Sequence, residues 1–440
     1  MTRTVITGGP GSGKTTLAAD LAGQQLELLG NGRPPGMLVC APTTAGVRAV
    51  ASRLADRRPA GSQVRVGTVR DLASCGTRPL SAPWLLVVDQ LEDCVPSELD
   101  LVATWARNAA ATVAAVDVDQ QITGWAGASP ASVSAFVHAA DRLVALDRSH
   151  RVPAAVADLA DRWVAGLPNP HRAALFPADR AGRVHRTAVS VHDPMLVDRL
   201  AADLDRGRTV LVAALSGALL GPLVANVRAA GVPCRDLTAD TPDPQVVEAL
   251  ARYLALDERE QPATARAWTG ADVRAWWPLC RAPRGGLRAE ARHIVGALPA
   301  DRPVPFELLA DLWGDDRIRA RALDPDPGWL LDAAKPGYRR RLAHLVAVAE
   351  RNGHAELARP PRLLVGTVHS AKHVEVDVVY LAPDLTPGQA DEWWGGRRDR
   401  LTRLAYVAAT RARLEVAGLA RATRYALPDS LFQTQGASTT

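Results

Sequence analysis

The sequence contains little cysteine and very little lysine. Its five cysteines lie far apart among 440 residues and form no CxxC pair, which argues against a zinc ribbon or a disulfide framework and favours a reducing, cytoplasmic location. Only three of the 52 basic residues are lysine, namely Lys14, Lys335 and Lys372, so 49 are arginine. The lysines that remain are candidates for positions at which arginine cannot substitute.

Long apolar runs are also missing. The longest uncharged stretch, residues 209–227, is interrupted by Gly217, Gly221 and Pro222, and this pattern favours a strand, a turn and a helix over a membrane span. The N-terminus leads within a few residues into a glycine-rich loop, which leaves no room for a signal peptide. We therefore expect no membrane partner, while the net charge of +5 permits a polyanionic one.

Short apolar segments of β-type residues recur along the chain, with helical or loop stretches between them. Such strands, when they alternate with helices, are typical of parallel sheets covered on both faces. The length of 440 residues favours two or three domains. The sequence predicts an α/β protein with two parallel sheets in tandem, with strands near residues 3–7, 36–43, 63–69, 84–89 and 111–119, and then 209–215, 362–368, 376–383 and 414–420.

The segment after the first predicted strand is rich in glycine. It fits the pattern GxxxxGK[ST] between a strand and a helix that starts near Lys14, which is the context that a phosphate-binding loop needs. In such a loop backbone N–H groups bind phosphates, the lysine reaches the β and γ phosphates, and the hydroxyl binds Mg²⁺. The predicted contacts are Gly8, Gly11, Gly13, Lys14, Thr15 and Thr16.

Further segments follow the predicted strands in a specific order. They read VCAPTTAGVRAV (39–50), VGTVRDLA (66–73), VVDQLED (87–93), VDVDQQITGWAGA (116–128), LDRSHRVPAAV (146–156), VGTVHSAKHVEVD (365–377) and RLAYVAATRAR (403–413). This series resembles the UvrD/Rep/PcrA family of superfamily 1 DNA helicases, from residue 5 to about residue 420 apart from an insertion.

The resemblance implies a fold and a domain organisation. The implied fold class is α/β, with two tandem RecA-like P-loop NTPase domains that have parallel sheets, the second interrupted by a mainly helical insertion. The expected boundaries are residues 1–146 for the ATP-binding domain, 147–235 and 362–425 for the second domain, 236–361 for the insertion and 426–440 for a disordered tail.

The segment VVDQLED departs from the family pattern. The resemblance implies that Asp89 holds Mg²⁺, while Gln90 stands where the family has its glutamate base and Glu92 stands where it has a glutamine. An amide can orient a water but accepts no proton at neutral pH. On an extended segment Glu92 would lie roughly 6.5 Å from position 90 and point the same way. The departure therefore predicts slow hydrolysis, with Gln90 and Glu92 as the catalytic candidates.

The same resemblance assigns the remaining nucleotide contacts, with ATP and Mg²⁺ as the implied ligands. Lys14, Gln120, Arg151 and Arg411 would act at the γ-phosphate, His150 would stack on the adenine, and Glu375 would reach the ribose. A histidine before a proline-containing loop is equally consistent with a solvated residue. His373 stands where the family has glycine, which strains the turn if a positive φ is needed there.

Contacts with single-stranded DNA are implied for Thr43, Thr68, Thr367 and His369, through the backbone, and for Trp125, through stacking on a base. An aromatic face accepts any base for about 1–3 kcal/mol, although Trp125 can alternatively belong to the core. The insertion contains five tryptophans that could stack on bases but more often form core at helical spacing: Trp268, Trp276, Trp277, Trp313 and Trp329.

The expected function is an ATP-dependent 3′–5′ DNA helicase or single-stranded DNA translocase of the UvrD type, acting in repair, recombination, or mobile-element and phage defence. Its partners would be single-stranded DNA or a duplex junction, with a possible protein that recruits it. A second interpretation is a hydrolysis-impaired clamp, or a non-motor subunit of a helicase complex. A third, a P-loop kinase or phosphotransferase, leaves the segments TVHSAK and YVAATRAR unexplained.

Overall fold

The computed structural model describes residues 2–30, 35–57, 61–75, 83–172, 174–239, 247–248, 250, 269–280, 288–304, 308, 311–312 and 327–432. Within these residues two parallel sheets are flanked by helices, which confirms the predicted α/β class. The chain groups into two compact units. The first unit comprises Met1–Val191, Arg208–Ala218 and Gly366–Thr440, and the second comprises His192–Gly207 and Leu219–Val365.

The first sheet lies in the first unit and is parallel throughout. Its strands are β1 (Thr2–Gly8), β2 (Gly36–Ala41), β3 (Gln63–Thr68), β4 (Trp84–Val88), β5 (Ala111–Val116) and β6 (Arg142–Leu146). They lie in the order β3-β2-β4-β5-β1-β6. Every residue of β2 and β5 is buried, because helices cover both faces of the sheet. The carboxyl ends of all six strands therefore meet at one edge.

A second set of strands in the first unit is also parallel. It contains β9 (Arg183–Ser190), β10 (Val210–Ala214), β13 (Val376–Ala382) and β14 (Ala412–Ala420), in the order β10-β13-β14-β9. A separate short pair joins β7 (Arg148–Pro153) to β8 (Phe176–Ala178). In the second unit β11 (Cys234–Asp236) pairs in parallel with the start of β12 (Leu363–Thr367). All nine predicted strands are present, whereas β6 to β9 and β11 were not predicted.

Several helices of the first unit begin where a side chain satisfies a free N–H group. Thr43, Thr68 and Thr367 each lie at or just beyond the end of a strand. The side chain of each accepts a hydrogen bond from the backbone N–H three residues further along the chain, as N-cap residues do. The helices are α1 (Lys14–Leu29), α2 (Thr44–Leu54), α3 (Val69–Ser74), α4 (Pro96–Asn108), α5 (Pro130–His138), α6 (Ala154–Val164), α13 (Val368–Ala371), α14 (Pro387–Trp394) and α15 (Asp399–Ala409).

The second unit is mainly helical in its described part. Its helices are α7 (Met195–Asp205), α8 (Leu220–Ala229), α9 (Gly270–Trp276), α10 (Ala291–Ala297), α11 (Pro327–Ala333) and α12 (Pro336–Asn352). Sixteen buried apolar residues form its core, and Trp277 packs against them, which favours the core interpretation for this tryptophan. Trp268 and Trp313, and the side chains of Trp276 and Trp329, lie outside the described residues.

Several smaller predictions can be compared with the structure. None of the five cysteines forms a disulfide, and none of the described helices is long and apolar enough to cross a membrane. The uncharged run 209–227 forms β10, a turn and most of α8, as predicted. Within the predicted tail 426–440, Phe432 is buried and contacts the Trp163 ring edge to face. Residues 426–432 are therefore packed rather than free, and 433–440 lie outside the described residues.

Candidate functional site

The loop between β1 and α1 forms one wall of the candidate site. Gly11 and Gly13 have φ values of 71° and 89°, in the left-handed region that glycine adopts without strain. The Lys14 ammonium donates to the carbonyls of Gly8 and Gly9, each at 2.7 Å. The hydroxyl oxygen of Ser12 is buried and has no hydrogen-bond partner within the described structure. The loop thus presents a cation and a free polar atom to a ligand.

Thr15 and Asp89, the two predicted metal residues, are adjacent. The Thr15 hydroxyl donates to Asp89 Oδ2 at 3.0 Å, directly beyond the end of β4. Burial raises the pKa of Asp89, while Thr15 and Lys14 oppose that shift. The described residues hold no cluster of three metal-binding His, Cys, Asp or Glu side chains. A hydroxyl and one carboxylate suit Mg²⁺, which typically completes its shell with waters and substrate phosphates.

A line of polar side chains connects Lys14 to Arg411. Lys14 Nζ lies 3.4 Å from Asp117 Oδ2, and Asp117 accepts a hydrogen bond from the Gln120 amide. Gln120 Oε1 in turn accepts from Arg411 Nη2 at 2.8 Å. Asp117 had no predicted role. The signal that could have identified it is an acid directly after a buried strand, at the same sheet edge as the phosphate loop.

Two arginines face this line from segments near the second set of strands. Arg151 donates to the Thr410 carbonyl at 3.1 Å and lies 3.3 Å from Glu375 Oε1. Burial lowers the pKa of both Arg151 and Arg411, so an anion placed beside them would stabilise their charged forms. Glu375, predicted to reach a ribose, is paired with Arg151 and Arg413, which hold its pKa below the ordinary value despite the opposing effect of burial.

The glycine-rich loop, the Thr15–Asp89 pair, and Arg151 and Arg411 line one cavity in the first unit. Its volume is about 360 Å³, within the usual range for small-molecule sites. His150, at its rim, donates its backbone N–H to the Gly11 carbonyl at 2.9 Å and has an exposed side chain. The predicted residues that line the cavity are Gly11, Gly13, Lys14, Thr15, Thr16, Asp89, Gln90, Glu92, Gln120, His150, Arg151, Glu375 and Arg411.

Gln90 and Glu92 do not have the geometry assumed from the sequence. Gln90 has φ 60° and ψ 44°, and it is the one non-glycine residue with positive φ in the described part of the chain. Leu91–Asp93 form a short 3-10 helix, so the extended spacing predicted between the two side chains is wrong. Glu92 is buried and accepts from Lys372 Nζ at 3.0 Å and from the Asp117 N–H at 3.1 Å. Both of its oxygens are therefore committed to protein partners.

Lys372, which the sequence placed in a motif without a role, is one of the most enclosed charges of the site. Its side chain is 4% exposed, and its ammonium donates to Glu92, to Asp93 and to the Gln120 carbonyl. Burial lowers its pKa, but the two carboxylates outweigh burial and the net pKa is raised. Lys372 therefore binds the 3-10 helix after β4 to the loop after β5.

The residues predicted to contact DNA lie at the ends of strands or in the segments that follow them. Trp125 is 72% exposed in a short turn, which excludes the core alternative. His369 Nε2 lies 3.3 Å from the Ile122 carbonyl, three residues before that tryptophan. Thr68 and Thr367 cap α3 and α13, and Thr43 caps α2 while also contacting Gln90 and His373. The structure thus brings His369 near the Trp125 turn.

The two parallel sheets give the chain an α/β fold, and the glycine-rich loop and the Thr15–Asp89 pair lie at the carboxyl edge of its first sheet. Residues 1–126 match the family model described as an AAA domain, and no curated protein matches the chain.

Two solved structures of an arterivirus helicase, nonstructural protein 10, also align with the chain. The crystal structure of the helicase aligns over 98% of this chain and 62% of its own, with 14% identity and a TM-score of 0.36. Its complex with DNA aligns over 95% and 60%, with 14% identity and a TM-score of 0.38. The chain therefore spans about three fifths of the length of these two structures.

Proposed function

We propose that the chain is an ATP-dependent DNA helicase or single-stranded DNA translocase of the UvrD type, with ATP as substrate and Mg²⁺ as cofactor. The observation that carries this proposal is the convergence of Lys14, the Thr15–Asp89 pair and two arginines, Arg151 and Arg411, on one cavity of about 360 Å³. A kinase or phosphotransferase needs an acceptor pocket beside the phosphates, and it leaves the segments TVHSAK and YVAATRAR unexplained.

Each group of this cavity fits a part of the reaction. Lys14 would exchange its loop carbonyls for the β and γ phosphates, and the N–H groups at the start of α1 would bind their oxygens. Thr15 and Asp89 would hold Mg²⁺, which neutralises charge on the phosphates. Arg151 and Arg411 would stabilise charge that develops on the γ-phosphate. Because phosphoryl transfer depends mainly on positioning and electrostatics, these groups suffice for turnover if a water is oriented.

ATP in this cavity would connect the two sets of strands. Lys14 follows β1 of the first sheet, whereas Arg411 immediately precedes β14. A ligand held by both would draw the two sets together, and hydrolysis would release them. Two DNA-binding surfaces joined by such a cycle make a translocase. The 3′–5′ direction, and roles in repair, recombination or mobile-element defence, follow from the resemblance to UvrD-type helicases.

A hydrolysis-impaired, ATP-dependent DNA clamp is the second candidate. The observation that favours it is that Glu92, the acid nearest to Gln90 along the chain, has both oxygens committed to Lys372 and to the Asp117 N–H. In that case the chain would bind ATP and DNA but would turn over only after a carboxylate was restored at position 90.

Steady-state ATP hydrolysis, with and without single-stranded DNA, separates the two candidates. The natural chain is expected to hydrolyse ATP and to be stimulated by DNA, whereas the turnover of Lys14→Ala is expected to fall by about 10²–10³-fold. Lys335→Ala is the matched control, because Lys335 is exposed and precedes α12 in the second unit. ATP binding without turnover in the natural chain, with turnover in Gln90→Glu, would establish the clamp instead. Equal turnover in Lys14→Ala and Lys335→Ala would refute the site.

The proposed DNA contact is tested with two exposed tryptophans. Trp125 is 72% exposed and Trp394 is 61% exposed, so neither substitution to alanine should disturb the core. Trp125→Ala is expected to weaken single-strand affinity by about 1–3 kcal/mol, the contribution of one stacked base. Trp394→Ala is expected to leave it unchanged. Equal affinities of the two variants, measured by fluorescence anisotropy, would remove Trp125 from the DNA surface.

A further inference from the structure

Three polar side chains and one glycine form a closed cluster at one corner of the cavity. Gln90 Nε2 lies 3.1 Å from His373 Nδ1, and His373 Nε2 lies 3.2 Å from Thr43 Oγ1. Thr43 Oγ1 lies 3.5 Å from Gln90 Oε1, which closes the ring. Thr43 follows β2, Gln90 follows β4 and His373 lies just beyond α13, so residues distant in sequence meet here. Gln90 and His373 both line the cavity.

Donors and acceptors can be assigned consistently around this ring, with each residue donating to the next in one direction. The Gln90 amide N–H donates to His373 Nδ1, so the proton of a neutral imidazole lies on Nε2 and is donated to Thr43. Thr43 also accepts from the Gly46 N–H at 3.0 Å, and its hydroxyl proton points to Gln90 Oε1. Gln90 keeps one N–H and one lone pair for a further partner. A glutamate at position 90 could not form this ring, because a carboxylate only accepts.

Gly46 leaves space for the amide oxygen. A Cβ built on Gly46 would lie 2.6 Å from Gln90 Oε1 and 3.0 Å from the Ala41 Cβ. Gly46 is buried within α2, whose residues 44–54 are helical, so its backbone conformation does not demand glycine. The close approach of the Gln90 amide gives a reason for glycine at this helical position. The amide is thus confined by His373, Thr43 and the surface of α2.

His373 is suited to serve as an acceptor because it is neutral. Burial, together with the nearby charges of Lys372 and Arg411 and against the opposing effect of Asp93, lowers the pKa of His373 to about 4. At neutral pH the ring therefore carries one proton. Protonation of Nδ1 would put two donors, Nδ1–H and the amide N–H, face to face.

We propose that His373 is a positioning residue that holds the Gln90 amide so that Gln90 orients the attacking water in ATP hydrolysis. This inference rests on the proposed function. The water oxygen forms the bond to the γ-phosphorus as the bond from that phosphorus to the ADP oxygen breaks. The proton of the water passes to a phosphate oxygen, and the amide itself neither gains nor loses a proton. Gln90 then acts as the water-positioning glutamine of a nucleotide hydrolase does.

A double-substitution cycle tests this role through kcat and KM. His373→Gly is expected to lower kcat by about 100-fold, the cost of a misplaced catalytic group, with KM for ATP within about twofold. His373→Asn retains an acceptor near Nδ1 and is expected to recover most of that loss. With glutamate at position 90, His373→Gly should raise kcat, since it frees the carboxylate from the imidazole. The same loss in both backgrounds would assign His373 a merely structural role and overturn the proposal.

The imidazole tautomer gives a readout that does not depend on turnover. Nitrogen-15 shifts of histidine, assigned by the signal lost in His373→Asn, are expected to show the proton on Nε2 in the natural chain. In Gln90→Glu the imidazole proton of His373 should instead lie on Nδ1, because a carboxylate at position 90 can only accept a hydrogen bond from the ring. A proton on Nδ1 in the natural chain would mean that the amide oxygen of Gln90, and not its N–H, faces His373. That result would contradict the proposed ring of hydrogen bonds.

Gly46→Ala displaces the amide without replacing a ring residue. Alanine is the better helix former, but its Cβ would also lie 3.0 Å from the Ala41 Cβ, so denaturant unfolding is measured beside turnover to show that the variant is folded. Its kcat should fall at least about tenfold as the amide is misplaced. Unchanged kcat in both Gly46→Ala and His373→Gly, in a natural chain that hydrolyses ATP, would refute the inference alone. Absence of turnover in the natural chain would instead refute the hydrolytic function, and with it the role of the amide.

Discussion

Two of the three lysines of the chain lie at the same cavity, and their surroundings differ sharply. Lys14 is 14% exposed and donates to two backbone carbonyls, with Asp117 at 3.4 Å. Lys372 is 4% exposed and is held between Glu92 and Asp93 with a further bond to the Gln120 carbonyl. Two of the partners of Lys14 are carbonyls that a phosphate can replace, whereas Lys372 neutralises two buried carboxylates.

This difference assigns the two lysines different roles in one site: Lys14 is placed to bind a ligand, and Lys372 stabilises the folded structure. A buried carboxylate without its cation is costly, so Lys372 cannot leave its partners. The partners of Lys14 are two neutral carbonyls and Asp117, which keeps the Gln120 amide as a partner when the ammonium moves to a phosphate. A flexible ammonium with three donors fits both places, whereas the planar fork of arginine does not. The rarity of lysine in this chain is consistent with both positions requiring that shape.

The largest expected effect is on stability, from Lys372→Ala. Removing the cation leaves Glu92 and Asp93 buried beside each other, and breaking a buried ion pair in this way costs about 3–5 kcal/mol. Denaturant unfolding should show this loss, and Lys335→Ala should stay within about 0.5 kcal/mol of the natural chain, as exposed positions do. A Lys372→Ala variant as stable as its Lys335→Ala control would show that the comparison is wrong.

Lys14→Ala should reverse the pattern. Its turnover is expected to fall by about 10²–10³-fold, as when one transition-state donor is removed. Its free energy of unfolding should change by less than that of Lys372→Ala, by about 1–2 kcal/mol, because two neutral hydrogen bonds are lost and Asp117 keeps the Gln120 amide as a partner. Both quantities can be measured on one preparation. A large loss of stability in this variant would mean that Lys14, too, holds the fold together.

Lys372→Arg tests shape rather than charge. The larger guanidinium keeps the positive charge, but it must fit where one ammonium contacts three acceptors, and overpacking of this kind costs about 1–3 kcal/mol. Lys335→Arg, at an exposed position, is expected to be neutral. If thermal unfolding finds both arginine variants equal to the natural chain, the retention of lysine at position 372 has another cause.

The smallest expected effect appears at high pH. The raised pKa of Lys372 means that the folded state binds this proton more tightly than the unfolded chain, whose lysine has the ordinary value of 10.5. Its contribution to stability is therefore complete below pH 10.5 and is lost as the pH rises towards the folded pKa, at up to about 1.4 kcal/mol per pH unit. Lys372→Met should lack this slope. Parallel stability curves of the two proteins above pH 10.5 would contradict it.

The sequence predicted the strands and the phosphate loop well because their signals are local. Apolar runs and the GxxxxGK[ST] spacing identified nine strands and placed the start of α1 at Lys14. It also named most residues of the cavity, since each follows a strand in a recognisable segment. Local structure was wrong or missing in three respects: β6 to β9 and β11 were not predicted, Leu91–Asp93 form a 3-10 helix instead of an extended segment, and the start of the predicted tail is packed through Phe432.

What the sequence could not supply is the pairing of residues that lie far apart in the chain. Lys372 meets Glu92 across 280 positions, and His373 meets Gln90 across 283. No spacing rule links such positions, because they come together only when the segment after β4 packs against the segment after α13 in the folded chain. The substitution at Gln90 could therefore be read only as a loss until its contact with His373 was known.

The line from Lys14 through Asp117 and Gln120 to Arg411 has a thermodynamic consequence. If a ligand draws Lys14 away from Asp117, the hold of Asp117 on Gln120 changes, and with it the partner of Arg411. Linkage is reciprocal, so whatever factor an anion at Lys14 imposes on binding at Arg411 is imposed in return. Gln120 is the central residue of this line, and Gln120→Ala would remove the hydrogen bonds through which Asp117 is connected to Arg411.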